Sequence, residues 1–191
     1  MEQAKTVLDF WLKELTRADW YSGDAAVDEA VRSRFSATWA SARAGALQNW
    51  QSMPQGILAY LVVTDQFPRN LFRNDARAFA TDGKALTAAI RAIHHKLDLQ
   101  VAEPERQFFY MPLMHSESLM DQDRCVRMFL TRMPETGAGN VLHARAHRAV
   151  IRRFGRFPYR NEALGRTSTA EERAFLARGG YMSVVEELQA A

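Results

Sequence analysis

Apolar residues recur along the chain at intervals of three and four, and the rhythm breaks at proline, glycine and short polar runs. Val7, Leu8, Trp11, Leu12 and Leu15 share one face of a first predicted helix. Asp24 stands where an N-cap belongs, ahead of a face made of Val27, Val31, Phe35, Thr38, Trp39 and Ala42. Ser52 and Gln55 have capping-box spacing with Pro54 in the first turn, which predicts a helix through "GILAYLVVTDQF" to Pro68. Asp75 is placed to cap a helix carrying Phe79, Leu86, Ile90 and Ile93. Pro104 opens a short helix that Met111-Pro112 ends, and a longer one is expected from about Leu113 to Leu130. "TGAGN" reads as a loop and "VLHARAHRAVIRRF" as a helix. Thr169 and Glu172 cap the next one, Gly179-Gly180 stops it, and a last short helix follows. No segment alternates, so the expected class is all-α, a single helical domain over 1–191.

The informative residues are polar ones on faces that should be buried. Ile57, Leu58, Tyr60, Leu61, Val62 and Val63 cover nearly every direction around their axis, the mark of an interior helix. Asp65 falls on its Leu58, Leu61 and Val62 side, so it needs a cation or several donors. Arg69, Arg153, Arg156 and Arg160 are the candidate partners. On a continuous Leu113–Leu130 helix, His115 falls among Leu119, Val126, Phe129 and Leu130, at a helix start where free N–H groups suit an anion. On the helix after "TGAGN", Arg145, Arg148, Arg152 and Arg156 form a stripe opposite His143, His147, Val150, Ile151 and Phe154. His143 and His147 are spaced to put two imidazoles on one metal, with His115, Glu117 or Asp65 as third ligands. The HExxH signature is absent, and no metal site is assigned.

Composition narrows the function classes. The apolar fraction of 47% and charged fraction of 25% are those of an ordinary globular chain. The net charge of +3 does not by itself argue for nucleic acid, which ranks below a small anion as partner. Six Arg and two His without an acid between Thr136 and Asn161 make a local positive region suited to phosphate or carboxylate. The single Cys125 excludes an internal disulfide and fits a cytoplasmic setting. The N-terminus predicts an amphipathic helix rather than a signal peptide, and no apolar run reaches membrane-spanning length. Gly-rich phosphate loops and nucleophile elbows are missing, so no cofactor is named.

Four stretches, "DQFPRN-LFR", "RAFATD", "MPLMHSESL" and "HRAVIRRFGRFPYRN-EALGRTSTAEERAFL", resemble the chiefly bacterial family known as domain of unknown function 924, from about Lys5 to Gly180. The resemblance implies a compact array of antiparallel helix pairs, tetratricopeptide-like and superhelical, and no established activity, cofactor or partner. The matching positions are Asp65, Gln66, Arg69, Asn70, His115, Ser116, Glu117, His147, Arg153, Arg156, Arg160 and Asn161. Tyr159 stands where the family pattern more often has His, and His143 has no steady counterpart.

Three readings follow. In the first, the chain binds an anionic small molecule: His115, His147 and Asp65 are the acid–base candidates, and Arg69, Asn70, Glu117, Arg153, Arg156, Arg160 and Asn161 the ligand-binding ones. In the second, fold analogy makes it a peptide- or protein-interaction module. In the third, the motif residues form a structural polar network.

Overall fold

Pro68 does not end its helix. Among residues 2–190, which the computed structural model describes, all regular structure is helical, with no strand. The chain divides into two compact units, Met1–Pro112 and Leu113–Ala191. In the first, helices α1 (Glu2–Asp9), α2 (Ala25–Ala44), α3 (Pro54–Leu61), α4 (Phe67–Leu71) and α5 (Asp82–His94) are joined by shorter turns. Between α3 and α4 the backbone widens into a π-turn, Val62–Gln66, closed by the Phe67 N–H on the Val62 carbonyl. That widening lets the chain pass the proline ring and continue to Leu71. Proline still has no N–H for the Thr64 carbonyl four residues back. The Thr81 hydroxyl donates to it instead, at 2.6 Å, and the Trp39 indole N–H reaches that hydroxyl at 3.3 Å. Thr64 and Thr81 are both fully buried, so this substitution is obligatory rather than decorative.

As the pattern predicts, α3 is apolar and buried on all sides. It packs against α1, α5 and the 3₁₀ turns Gln48–Ser52 and Glu105–Phe109. A Cβ on Gly56 would lie 2.1 Å from the Trp50 carbonyl, so only glycine permits this approach. The expected Ser52–Gln55 capping box does not form. Ser52 lies inside the preceding 3₁₀ turn and donates to the Asn49 carbonyl, leaving Met53 as an uncapped N-cap. A second π-turn, Phe10–Glu14, re-registers the chain after α1. It buries Phe10 with Val7 and Trp11, and leaves Leu8, Leu12 and Leu15 half-buried. Rings then mesh in sequence: Phe10 on Phe35 at 5.1 Å, Phe35 on Phe67 at 4.9 Å, Phe67 on Trp11 at 5.6 Å, Trp11 on Phe108 at 6.0 Å. Asp24 caps α2 through the Ala26 N–H as expected. Asp75 caps only the 3₁₀ turn Ala76–Phe79; α5 starts separately and buries a small-residue face, Ala85, Ala88, Ala89 and Ala92 with Ile93.

The unit boundary falls within the short helix α6 (Met111–Met114), so Met111-Pro112 opens a turn of helix where an end was expected. The expected continuous Leu113–Leu130 helix is broken at His115–Ser118, and α7 runs Leu119–Arg132. Polar side chains make the break. The Ser116 hydroxyl bonds Asp121 at 2.7 Å, and the buried Gln122 amide lies 2.6 Å from the Met114 carbonyl and 2.7 Å from that of Ser116. The wheel drawn through the break is therefore out of phase, which is why Leu119 and Leu130 are exposed. His115 sits after the last carbonyls of α6, not at free N–H groups. The helix α8 (Ala138–Phe154) begins inside the expected "TGAGN" loop. It packs against α7 and against α10 (Tyr181–Ala190), with α9 (Ala170–Ala177) between α8 and α10 in the chain. Val150, Ile151, Phe157 and Phe175 form one core cluster of this unit, with Phe154 and Val184 packed on it.

Replacing Thr81 by Val keeps its shape and removes the donor to Thr64 and the acceptor for Trp39. Urea unfolding is expected to show a loss of about 1–3 kcal/mol, the cost of a buried polar group left unmade. Thr81→Ser recovers most of it; a Val variant as stable as the parent would rule the bond out as a support.

Candidate functional site

The two FP-RN motifs serve different places. In unit 1, Asp65 is completely buried on the π-turn, accepting from Gln66 at 2.6 Å, with the Arg69 guanidinium 3.9 Å away. The stronger partner of Arg69 is Asp82, bound through both oxygens at 2.9 and 3.0 Å; Arg69 also donates to the Ala78 carbonyl. Its guanidinium lies over the Phe79 ring. Asn70 donates to Asp28 at 2.8 Å, and Arg73 grips the same carboxylate from the other side. Arg69 and Asn70 thus tie the end of α4 to α5 and α2.

In unit 2, two carboxylates organise the segment after α8. Glu117 accepts the Phe157 N–H at 2.8 Å and both Nη atoms of Arg166 at 2.7 and 3.0 Å. Glu172, 2% exposed, accepts Arg156 Nε and Nη2 at 2.6 and 2.8 Å, the Thr169 N–H at 2.7 Å and the Asn161 amide at 3.3 Å. It also completes the expected capping box with Thr169. The Arg156 guanidinium, aided by the Thr169 N–H, holds its carboxyl well below the usual range, at about 2. Asn161 also accepts from Arg166 Nε at 2.9 Å. Arg153 binds Glu171 on the exposed side. These contacts bring Glu117, Arg156 and Asn161 into one network that closes on itself, with Arg153 on the outside.

The histidines lie elsewhere in the same unit. His147 Nδ1 is 2.9 Å from the His143 carbonyl one turn back. A carbonyl only accepts, so Nδ1 carries the proton and Nε2 the lone pair. Around the ring stand Tyr181 at 4.5 Å, Phe157 at 5.4 Å and His115 at 6.4 Å between centroids. Burial first, then the charges of His115, Arg160 and His143, push the His147 pKa down to about 3, against the partial support of its carbonyl bond. Arg160 is 7% exposed, its guanidinium 4.5 Å over the Phe157 ring. Phe157 stacks in turn on Tyr159. His143 Nδ1 meets the Tyr181 hydroxyl at 2.5 Å. This arrangement offers a neutral imidazole with a lone pair on Nε2, the cationic Arg160 and flat aromatic walls. It can accept a proton or hydrogen bond beside a negative group. Among the described residues no three His, Cys, Asp or Glu groups are gathered as a metal site requires.

Sequence reasoning passed over Tyr181, Arg166 and Glu172. The Thr169–Glu172 spacing marked Glu172 only as a cap. Tyr181 directly after Gly179-Gly180 is the one local sign of a ring delivered to a chosen place.

Fold and site together describe an all-α protein with two carboxylate hubs, Glu172 buried and Glu117 half-buried, and a histidine–aromatic cluster. The chain belongs to the family described as bacterial protein of unknown function (DUF924), whose model matches residues 7–180. It is similar to the solved structure of a protein of unknown function from Agrobacterium tumefaciens, with 38% identity and a TM-score of 0.85, covering 92% of this chain and 97% of that one. No curated protein matches. No helix among the described residues is long and apolar enough to cross a membrane.

Both shifted groups link stability to pH with the same sign. His147 stays neutral in the fold to about 3, whereas the ordinary value is 6.5. The unfolded chain therefore binds the extra proton below 6.5, and stability falls as the pH drops from there toward 3, at about 1.4 kcal/mol per pH unit at most. Glu172 adds its own loss as the pH falls from its ordinary 4.5 through about 2. Urea titrations at stepped pH are expected to show the first slope vanish in His147→Asn and the second in Glu172→Gln. Unchanged slopes in these variants would contradict the assignment.

Proposed function

We propose that unit 2 binds an anionic small molecule bearing phosphate or carboxylate, with Arg160 as its cation and His147 as its hydrogen-bond and proton acceptor. His115 flanks the pair. The carrying observation is the His147 imidazole, held neutral with its tautomer fixed by the His143 carbonyl and the Nε2 lone pair left as an acceptor. An anion that settles on Arg160 lowers the repulsion and draws a proton toward Nε2, which is the elementary step of acid–base catalysis. Unit 1's Asp65 has no part in this reading.

A second reading accounts for the remaining motif residues. Arg69, Asn70, Glu117, Arg153, Arg156 and Asn161 each have a carboxylate, amide or guanidinium partner in their own unit. Their place is that of struts, a structural polar network that ties together the segments of each unit.

The test joins thermal shift with imidazole nitrogen NMR. A panel of phosphorylated and carboxylated metabolites, inorganic phosphate included, is expected to contain a member that raises Tm and moves the His147 titration upward. Arg160→Gln removes both effects, whereas Arg153→Gln, on the exposed Glu171 pair, leaves them. A panel without effect between pH 5 and 8 would sink the binding proposal.

A further inference from the structure

Helix α10 is attached in an unusual way. It follows two consecutive glycines, Gly179 and Gly180, with φ of +100° and +56°, a region side-chain-bearing residues rarely enter. On the near side of this joint α9 is well fixed, by its capping box and by Phe175 in the core. On the far side α10 has ten residues, of which Val185 alone is buried among those described, with Tyr181, Ser183 and Val184 half-buried and 186–190 exposed. A helix so short has little stability of its own, and its place depends on those few contacts. It also begins just beyond residues 7–180, the span of the family match.

Its first residue does the most. The Tyr181 ring packs at 4.5 Å on His147, its hydroxyl sits 2.5 Å from His143 Nδ1, and Tyr159 stands 6.4 Å away. Burial and the neighbouring Tyr159 raise the phenol's pKa, so it remains protonated and its hydroxyl shares one hydrogen bond with the His143 ring. The phenol thus takes a flat imidazole face and one hydrogen-bonding nitrogen of the cluster to which the previous section assigns a ligand.

We propose that α10 is a displaceable cover of the His147 cluster, with Tyr181 standing where the planar ring of the ligand goes. This rests on the binding role proposed for that cluster and narrows the ligand class. The occupant is an aromatic acid or aryl phosphate, its ring on His147, a hydroxyl or N–H donor at His143 and its anionic group toward Arg160. Swinging at Gly179-Gly180 exchanges the internal phenol for the external one, with no bond made or broken.

Diethyl pyrocarbonate, which acylates neutral imidazole nitrogen, reads the cover without any ligand. Modification of His143 and His147 is followed separately by peptide mass spectrometry. Tyr181→Phe is expected to raise the His143 rate several-fold and leave His147 slow. Tyr181→Ala, and Val185→Asp, which removes the buried anchor of α10, raise both. Equal His147 rates in the parent and in these two variants would overturn the cover. Native-state hydrogen exchange on the unaltered protein guards against variants that fail to fold. Amides of 185–190 should exchange through local opening ahead of those of α8, and exchange of both only on global unfolding also overturns it. For the ligand class the probes are 4-hydroxybenzoate and phenyl phosphate, expected to raise Tm of Tyr181→Ala more than that of the parent. No shift in either protein counts against the binding role while the acylation result still decides the cover. An equal shift in both shows that Tyr181 does not occupy the ligand's place.

Discussion

The Thr64 carbonyl is the group around which unit 1 is assembled. Pro68 cannot donate to it, and a buried carbonyl without a donor costs as much as a lost hydrogen bond. The donor comes from Thr81, just before α5, and the same hydroxyl engages Trp39 of α2. One unmet backbone group therefore fixes three helices relative to one another. The π-turn that precedes the proline also sets the direction of Asp65, and one turn later Arg69 leaves α4 toward Asp82, beside Thr81 in the chain. The polar contacts of the first motif are consequences of how the chain gets past its proline.

Unit 2 solves a related problem with carboxylates. The segment after α8 is irregular, and its backbone groups need partners that no helix supplies. Glu117 takes the Phe157 N–H, Arg166 donates to the Phe157 carbonyl, and Glu172 gathers Arg156, Asn161 and the Thr169 N–H. Each charge is met by an opposite one with near-ideal geometry, the condition under which a buried ion pair is tolerated. The density of arginine that suggested an anion site is largely consumed in this internal pairing. What the sequence suggested as one anion site is therefore narrowed to the surroundings of His147 and Arg160.

The existence of most helices was legible because burial at three- and four-residue spacing leaves a direct trace, as did the caps at Asp24 and Thr169 and the buried anchors Phe67 and Phe157. The burial of Asp65 was legible for the same reason, since every position around it was apolar. Interruptions inside apolar runs were not. A π-turn keeps the composition of a helix while rotating its register, so the periodicity does not mark Phe10 and places a stop at Pro68. The break at His115–Ser118 depends on Gln122 folding back onto carbonyls six to eight residues earlier. Partner choice was equally hidden. Asp82, Asp28, Arg166 and Glu172 lie up to 49 residues from the groups they bind, and no local spacing points across such a distance.

The His147 tautomer shows how little separates a core imidazole from a reactive one. A histidine in an apolar setting becomes inert when both nitrogens are satisfied, and His147 uses only Nδ1, on a carbonyl of its own helix. That bond is supplied by the i, i+4 geometry of any helix with an unobstructed carbonyl, so it needs no evolved partner. The distinguishing expense lies in the surroundings. Positive charge from Arg160 adds to burial in disfavouring the protonated imidazole, while the same guanidinium helps to hold the Glu117 carboxyl ionised. The same pairing becomes favourable when a negative group lies between the two. Tyr181, neutral and flat, covers the imidazole without supplying a charge of its own.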